Sequence, residues 1–111
     1  MTELSQQKCE ACRIDAPRLS EQEVQNLQNE IPGWNVISDD NILKIQRQFG
    51  FKNFIDALDL ANKVGALAEQ ENHHPEIIVE WGKATVTWWT HKIKGLHRND
   101  VIMAAKTDAL I

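Results

Sequence analysis

At 111 residues the chain suits one domain with a sizeable core and is too short for two. Hydrophobic residues at 42% and charged residues at 25% are the balance of a soluble globular protein, not a disordered one. The formal charge of -4 is spread over interspersed acids and bases, without a basic stripe to neutralise phosphates or an apolar run near the roughly 20 residues of a membrane span, so nucleic-acid and membrane partners are disfavoured.

Residues 1–17 are polar, end at Pro17 and read as a flexible arm before a single domain over residues 18–111. The arm lacks the apolar stretch of a signal peptide, which points to the cytoplasm. It carries both cysteines, in Cys9-Glu10-Ala11-Cys12. A disulfide would not persist in a reducing cytosol, no second Cys-x-x-Cys completes a zinc site, and no strand precedes the pair as a thioredoxin-like motif requires. The pair reads as two thiols on that arm.

Ser20 and Glu23 form a capping box that opens a helix, with Val24, Leu27 and Ile31 on one face and Pro32-Gly33 as its stop. Trp34 follows and should pack. A short strand over Asn35 to Ser38, turn chemistry at Asp39-Asp40-Asn41 and an alternating strand over Ile42 to Phe49 come next. Leu43, Ile45 and Phe49 share one side of that strand, and Arg47 interrupts them, as it would near a sheet edge. Lys52 to Glu71 is a long helix whose apolar stripe reads Phe54, Ile55, Leu58, Ala61, Val64, Gly65 and Ala68, stapled by Phe51. Pro75 disfavours helix at His74 and ends it. Glu76 to Trp81 and Ala84 to His91 then pair about a Gly82-Lys83 turn, and a last helix begins near His97 to Asn99 and runs through Ile102, Ala105 and Leu110. The order α-β-β-α-β-β-α predicts an α+β fold: a four-stranded antiparallel sheet with three helices on one face.

Three of the four histidines, His73, His74 and His91, flank the second hairpin. Pairing its strands about Gly82-Lys83 sets His91 opposite His74, at the roughly 5 Å spacing of cross-strand neighbours. Imidazole exchanges protons near neutral pH, so a cluster without an obvious nucleophile suggests proton transfer, such as adding or removing water. Asp100, in the first turn of the last helix, is placed to orient or charge-stabilise one imidazole, although an acid there also suits the helix dipole. Glu69 is a second candidate carboxylate. Trp89 shares a strand face with His91 and offers a stacking wall to a flat ring. The competing readings are polar residues at an element junction and a three-histidine zinc site, for which adjacent histidines are poor ligands.

Glu71-Asn72-His73-His74-Pro75-Glu76, Trp81, Thr90-His91 and Arg98-Asn99-Asp100 together resemble the pterin-4a-carbinolamine dehydratases over about Leu19 to Leu110. Trp88-Trp89-Thr90-His91 and Lys94 to Asp100 look like the bacterial branch that often accompanies phenylalanine hydroxylase. The resemblance implies a lyase that dehydrates a reduced 4a-hydroxypterin, 4a-hydroxytetrahydrobiopterin or a relative, to the quinonoid dihydropterin, with no metal or organic cofactor. It implies His73, His74, His91 and Asp100 as catalytic residues, with Glu69, Trp89 and Thr90 on the substrate side. It also implies a homodimer joined through sheet edges, or a homotetramer of such dimers. Asn72 departs from relatives, in which the position is often acidic. The alternative reading is a non-catalytic pterin-binding or regulatory/dimerisation partner.

Overall fold

A computed structural model describes residues 19–111; the arm over residues 1–17, with Cys9 and Cys12, lies outside the described residues. Ser20 starts helix α1 (Glu21–Gln28) with the reciprocal cap its sequence predicts. Its hydroxyl accepts from the Glu23 N–H at 3.2 Å, and its own N–H donates to Glu23 Oε1 at 3.1 Å. Ser20, through that N–H first and its hydroxyl second, holds the Glu23 carboxyl below the ordinary glutamate range. Beyond the helix, Ile31 and Trp34 are buried, and the Trp34 Nε1–H donates to Asp108 Oδ1 at 3.0 Å.

Strands β1 (Asn35–Asp39) and β2 (Ile42–Gly50) are joined through Asp40 and Asn41, both at positive φ (55° and 65°). Two left-handed residues give the turn whose twist matches the strands, and Asp and Asn tolerate that region better than most side chains. Helix α2 (Phe54–Glu71), capped by Asn53, crosses to a second hairpin of β3 (Glu76–Glu80) and β4 (Lys83–Trp88). The sheet is antiparallel throughout, in the order β1-β2-β4-β3. Ile45, Phe49, Ala84, Val86 and Trp88 form its buried face. Ala57, Leu60, Val64 and Ala68 of α2 and Val101 to Ala104 of α3 (Arg98–Asp108) complete the core. Each fully buried large side chain contributes about 1.5–3 kcal/mol relative to an exposed one, so this layer is the main source of stability. The fold is the α+β arrangement expected, with a four-stranded antiparallel sheet and three helices.

Four local expectations are corrected. The second hairpin turns at Trp81-Gly82, with glycine second at φ 72°, so Glu80 faces Lys83 and Glu76 faces Thr87. The return strand ends at Trp88, and His91 opens a one-turn 3-10 helix (His91–Ile93) instead of closing the strand. Arg47 lies on an inner strand, not near an edge: its guanidinium packs 4.7 Å from the Phe49 ring centroid and pairs with Asp108 at 2.8 Å. The buried stripe of α2 is Ala57, Leu60, Val64 and Ala68, which leaves Phe54, Ile55 and Leu58 exposed on a neighbouring face.

Candidate active site

The end of α2 builds the first wall. Asn72 takes the left-handed conformation (φ 52°, ψ 43°), and its N–H returns to the carbonyls of Ala68 and Glu69. A left-handed stop favours glycine or asparagine, so Asn72 suits the position on conformational grounds alone. The chain then parts the two histidines. His73 turns inward, only 5% exposed, and stacks on the Trp88 indole at 5.8 Å between centroids and 12° between planes. His74 turns outward and its Nε2 lies 2.9 Å from Glu69 Oε2, one turn of helix back.

The start of α3 builds the second. His97 and Asp100 cap it: the Asp100 Oδ2 accepts from the His97 N–H at 2.9 Å, and the His97 Nδ1 accepts from the Asn99 N–H at 3.1 Å. Asp100 is fully buried, which a carboxylate withstands only when its lone pairs are engaged. They are. Oδ2 also accepts from the Thr90 hydroxyl at 2.7 Å, and Oδ1 lies 2.7 Å from His73 Nε2. An ionised carboxylate only accepts, so the network assigns the proton of that contact to Nε2. One side chain thus ties the α2 corner, the segment after β4 and the first turn of α3 to a single point.

Thr90 and Gly95 bridge in antiparallel fashion and close a small loop on which Lys94 is left-handed (φ 51°). The loop carries His91, which is exposed and lies against the Trp89 indole, 4.3 Å between centroids at a 37° tilt. Asn72, His73, His74, Thr90, His91 and Lys92 line one cleft of about 130 Å³. A larger depression of about 460 Å³ between Leu19, Leu43 and Leu96 has Lys94 as its one ionisable lining residue, so the histidines gather at the smaller one.

The structure therefore brings His73, His74, His91 and Thr90 to one cleft. Asp100 stands behind His73, Glu69 reaches the cleft through His74, and Trp89 lies against His91. Among the described residues, no three His, Cys, Asp or Glu side chains gather closely enough to hold a metal ion. Sequence reasoning passed over Trp88, which gives His73 its stacking surface, and His97, which caps α3. The alternation of β4 put Trp88 on the core face, but only the bend at Asn72 lays His73 on it.

The sequence profile of the Pterin 4 alpha carbinolamine dehydratase family matches residues 17–110. The chain belongs to that family. It is 57% identical over 111 residues to a protein of Nitrosococcus oceani, covering 100% of this chain and 98% of the relative. It is 53% identical to one of Syntrophotalea carbinolica, covering 100% and 99%. Both are provisionally named pterin-4-alpha-carbinolamine dehydratases. Among solved structures it is similar to a transcriptional coactivator/pterin dehydratase from Brucella melitensis, at 32% identity and a TM-score of 0.76, covering 85% of this chain and 98% of that one. A pterin dehydratase-like RuBisCO assembly factor of the alpha-carboxysome shares the fold at 19% identity and a TM-score of 0.59, covering 70% and 88%.

Proposed function

We propose that the protein is a hydro-lyase that dehydrates a 4a-hydroxytetrahydropterin, 4a-hydroxytetrahydrobiopterin being the representative substrate, to the quinonoid dihydropterin and water. The observation that carries this reading is the buried, Asp100-bound His73 converging with His74 and His91 on one cleft. In the reaction the C4a–O bond breaks with its electron pair moving to oxygen, and the departing hydroxide takes a proton. The N5–H proton leaves, and its bonding pair forms the C4a–N5 double bond. Hydroxide is a poor leaving group, so an acid must meet the oxygen while a base meets N5.

His73 and His91 exchange these two protons in our assignment. His74, with Glu69 beside it, holds and polarises the pterin. Thr90 acts through the hydrogen bond that fixes Asp100. Within this reading the substrate comes from an aromatic amino-acid hydroxylase, phenylalanine hydroxylase being the expected source, and the protein works in the cytoplasm as a homodimer or homotetramer without metal or organic cofactor.

The test follows decay of freshly generated 4a-hydroxytetrahydropterin with wild type and with His73→Ala/His91→Ala. We expect catalysis by wild type and a loss of roughly 10²-fold or more in the double variant, the range of general acid–base contributions. Wild-type decay no faster than the uncatalysed reaction would favour the alternative, a pterin-binding or regulatory partner, a role the name of the Brucella protein couples to the enzyme in that protein. Stoichiometric zinc in the purified protein, with activity lost to a chelator, would overturn the metal-free mechanism.

A further inference from the structure

His91, like His74, is exposed, and it is carried on a short loop, yet proton transfer demands a fixed imidazole. The indole of Trp89 covers one side of it, 4.3 Å between centroids. That indole is itself occupied from β2. The Ile45–Trp88 register, continued by one residue, sets Lys44 beside Trp89, and the Lys44 Nζ stands 3.9 Å from the indole centroid. Lys44 is unusual for a lysine on a strand. Its side chain is only 12% exposed, and its ammonium is anchored 2.9 Å from Asp39 Oδ2 across the first hairpin. A cation above an indole is attracted by the negative face of the ring, more strongly where water is partly excluded. Asp39, Lys44, Trp89 and His91 therefore form one continuous line of contacts from the far hairpin to the cleft.

We infer that Lys44 and Trp89 are positioning residues for His91: Asp39 and Lys44 pin the indole, and the indole fixes the imidazole at the mouth of the cleft. Trp89 then acts on the substrate through His91 and not by stacking on the pterin. The inference rests on the dehydratase reading for its consequence in rate, but the placement of the imidazole can be read without any turnover.

The experiment combines both readouts. The His91 ring protons are assigned by their loss in His91→Gln and followed by proton–carbon NMR in wild type, Trp89→Leu, Lys44→Met and Lys44→Arg. Wild-type signals lie upfield of free histidine because the indole ring current acts on them. They move back in Trp89→Leu, move part of the way in Lys44→Met, and hold their place in Lys44→Arg, which keeps the cation. In the carbinolamine assay Lys44→Met lowers kcat about tenfold with KM little changed, since a displaced catalytic group costs rate, and Lys44→Arg recovers most of it. Unmoved His91 signals in folded Trp89→Leu and in Lys44→Met overturn the inference, and so does a loss confined to KM, which would mean direct contact with the pterin. Should wild type show no dehydratase activity, that reading falls by itself, and the NMR series still decides whether the clamp exists.

Discussion

Asp100 has two oxygens and three donors to satisfy, and Asn in its place can serve only some of them. The cap donor and the Thr90 hydroxyl converge on one oxygen, Oδ2. Asp100→Asn therefore keeps its carbonyl there and turns its NH2 towards His73. Two donors cannot face each other, so the ring must give up its Nε2 proton and adopt the other tautomer. We expect a folded protein, destabilised by about 1–3 kcal/mol, and a rate lowered by on the order of 10²-fold or more, as when an orienting carboxylate holds a catalytic imidazole. Nitrogen-15 shifts of His73 would report the tautomer directly. An unchanged tautomer with full activity would reduce Asp100 to a helix cap. The sequence announced Asp100 as an acid in a first helical turn, where the dipole alone explains it. What it could not announce is the bond to His73, because residues 27 apart meet only through the tertiary fold.

Elements succeed or fail on their turns. Gly82-Lys83 and Trp81-Gly82 are both plausible two-residue loops, and choosing the wrong one moved every partner by two residues. Side chains alternate with a period of two, so that error left the inward faces intact. Ile77, Val79, Ala84, Val86 and Trp88 all pack where alternation put them. The expected His74–His91 pairing depended on the register and fell with it. The two residues still meet in one cleft because the Thr90–Gly95 bridge folds the loop back. At Gly82 the φ of 72° and a Cβ that would sit 3.1 Å from the Phe51 carbonyl oxygen both penalise a side chain. Gly82→Ala should cost about 1–2 kcal/mol, seen as a lower urea midpoint with an unchanged slope; an unmoved midpoint would refute the turn assignment. At α1 the legible cap makes its own prediction. The Glu23 carboxyl is held below its ordinary range, so the stabilisation it brings is complete above the unfolded value. That stabilisation is lost as pH falls through the lower folded value. Ser20→Ala should cost about 1 kcal/mol near neutrality and weaken this acid dependence without abolishing it, because the backbone N–H that contributes most is kept, and amide exchange along α1 at graded pH would detect the change.

For the whole molecule, one surface is left without a partner among the described residues. On α2, Phe54, Ile55 and Leu58 are 43%, 69% and 38% exposed. The Phe51 N–H bonds the Gly82 carbonyl and brings the second hairpin, with Trp81 at 74% exposure, to the same end of the helix. The sequence showed one broad apolar stripe on α2. That stripe passed over Ala57 and Leu60, which fill the core with Val64, while its own Phe54, Ile55 and Leu58 are turned away from it. Large side chains on one exposed helical face are what a stable assembly buries. A second copy of the chain is the occupant proposed with the dehydratase function. Ile55→Glu tests it cleanly, because the residue is mostly exposed and an exposed substitution alters folding by only about 0.5 kcal/mol. Sedimentation should show wild type as a dimer or tetramer and the variant shifted to a smaller species. The wild-type Tm should rise with protein concentration, because association stabilises only the folded chain, while the variant loses that dependence. A wild type that stays monomeric at micromolar concentration would overturn the assembly, and a variant that assembles as well as wild type would move it to the open edges of β1 and β3.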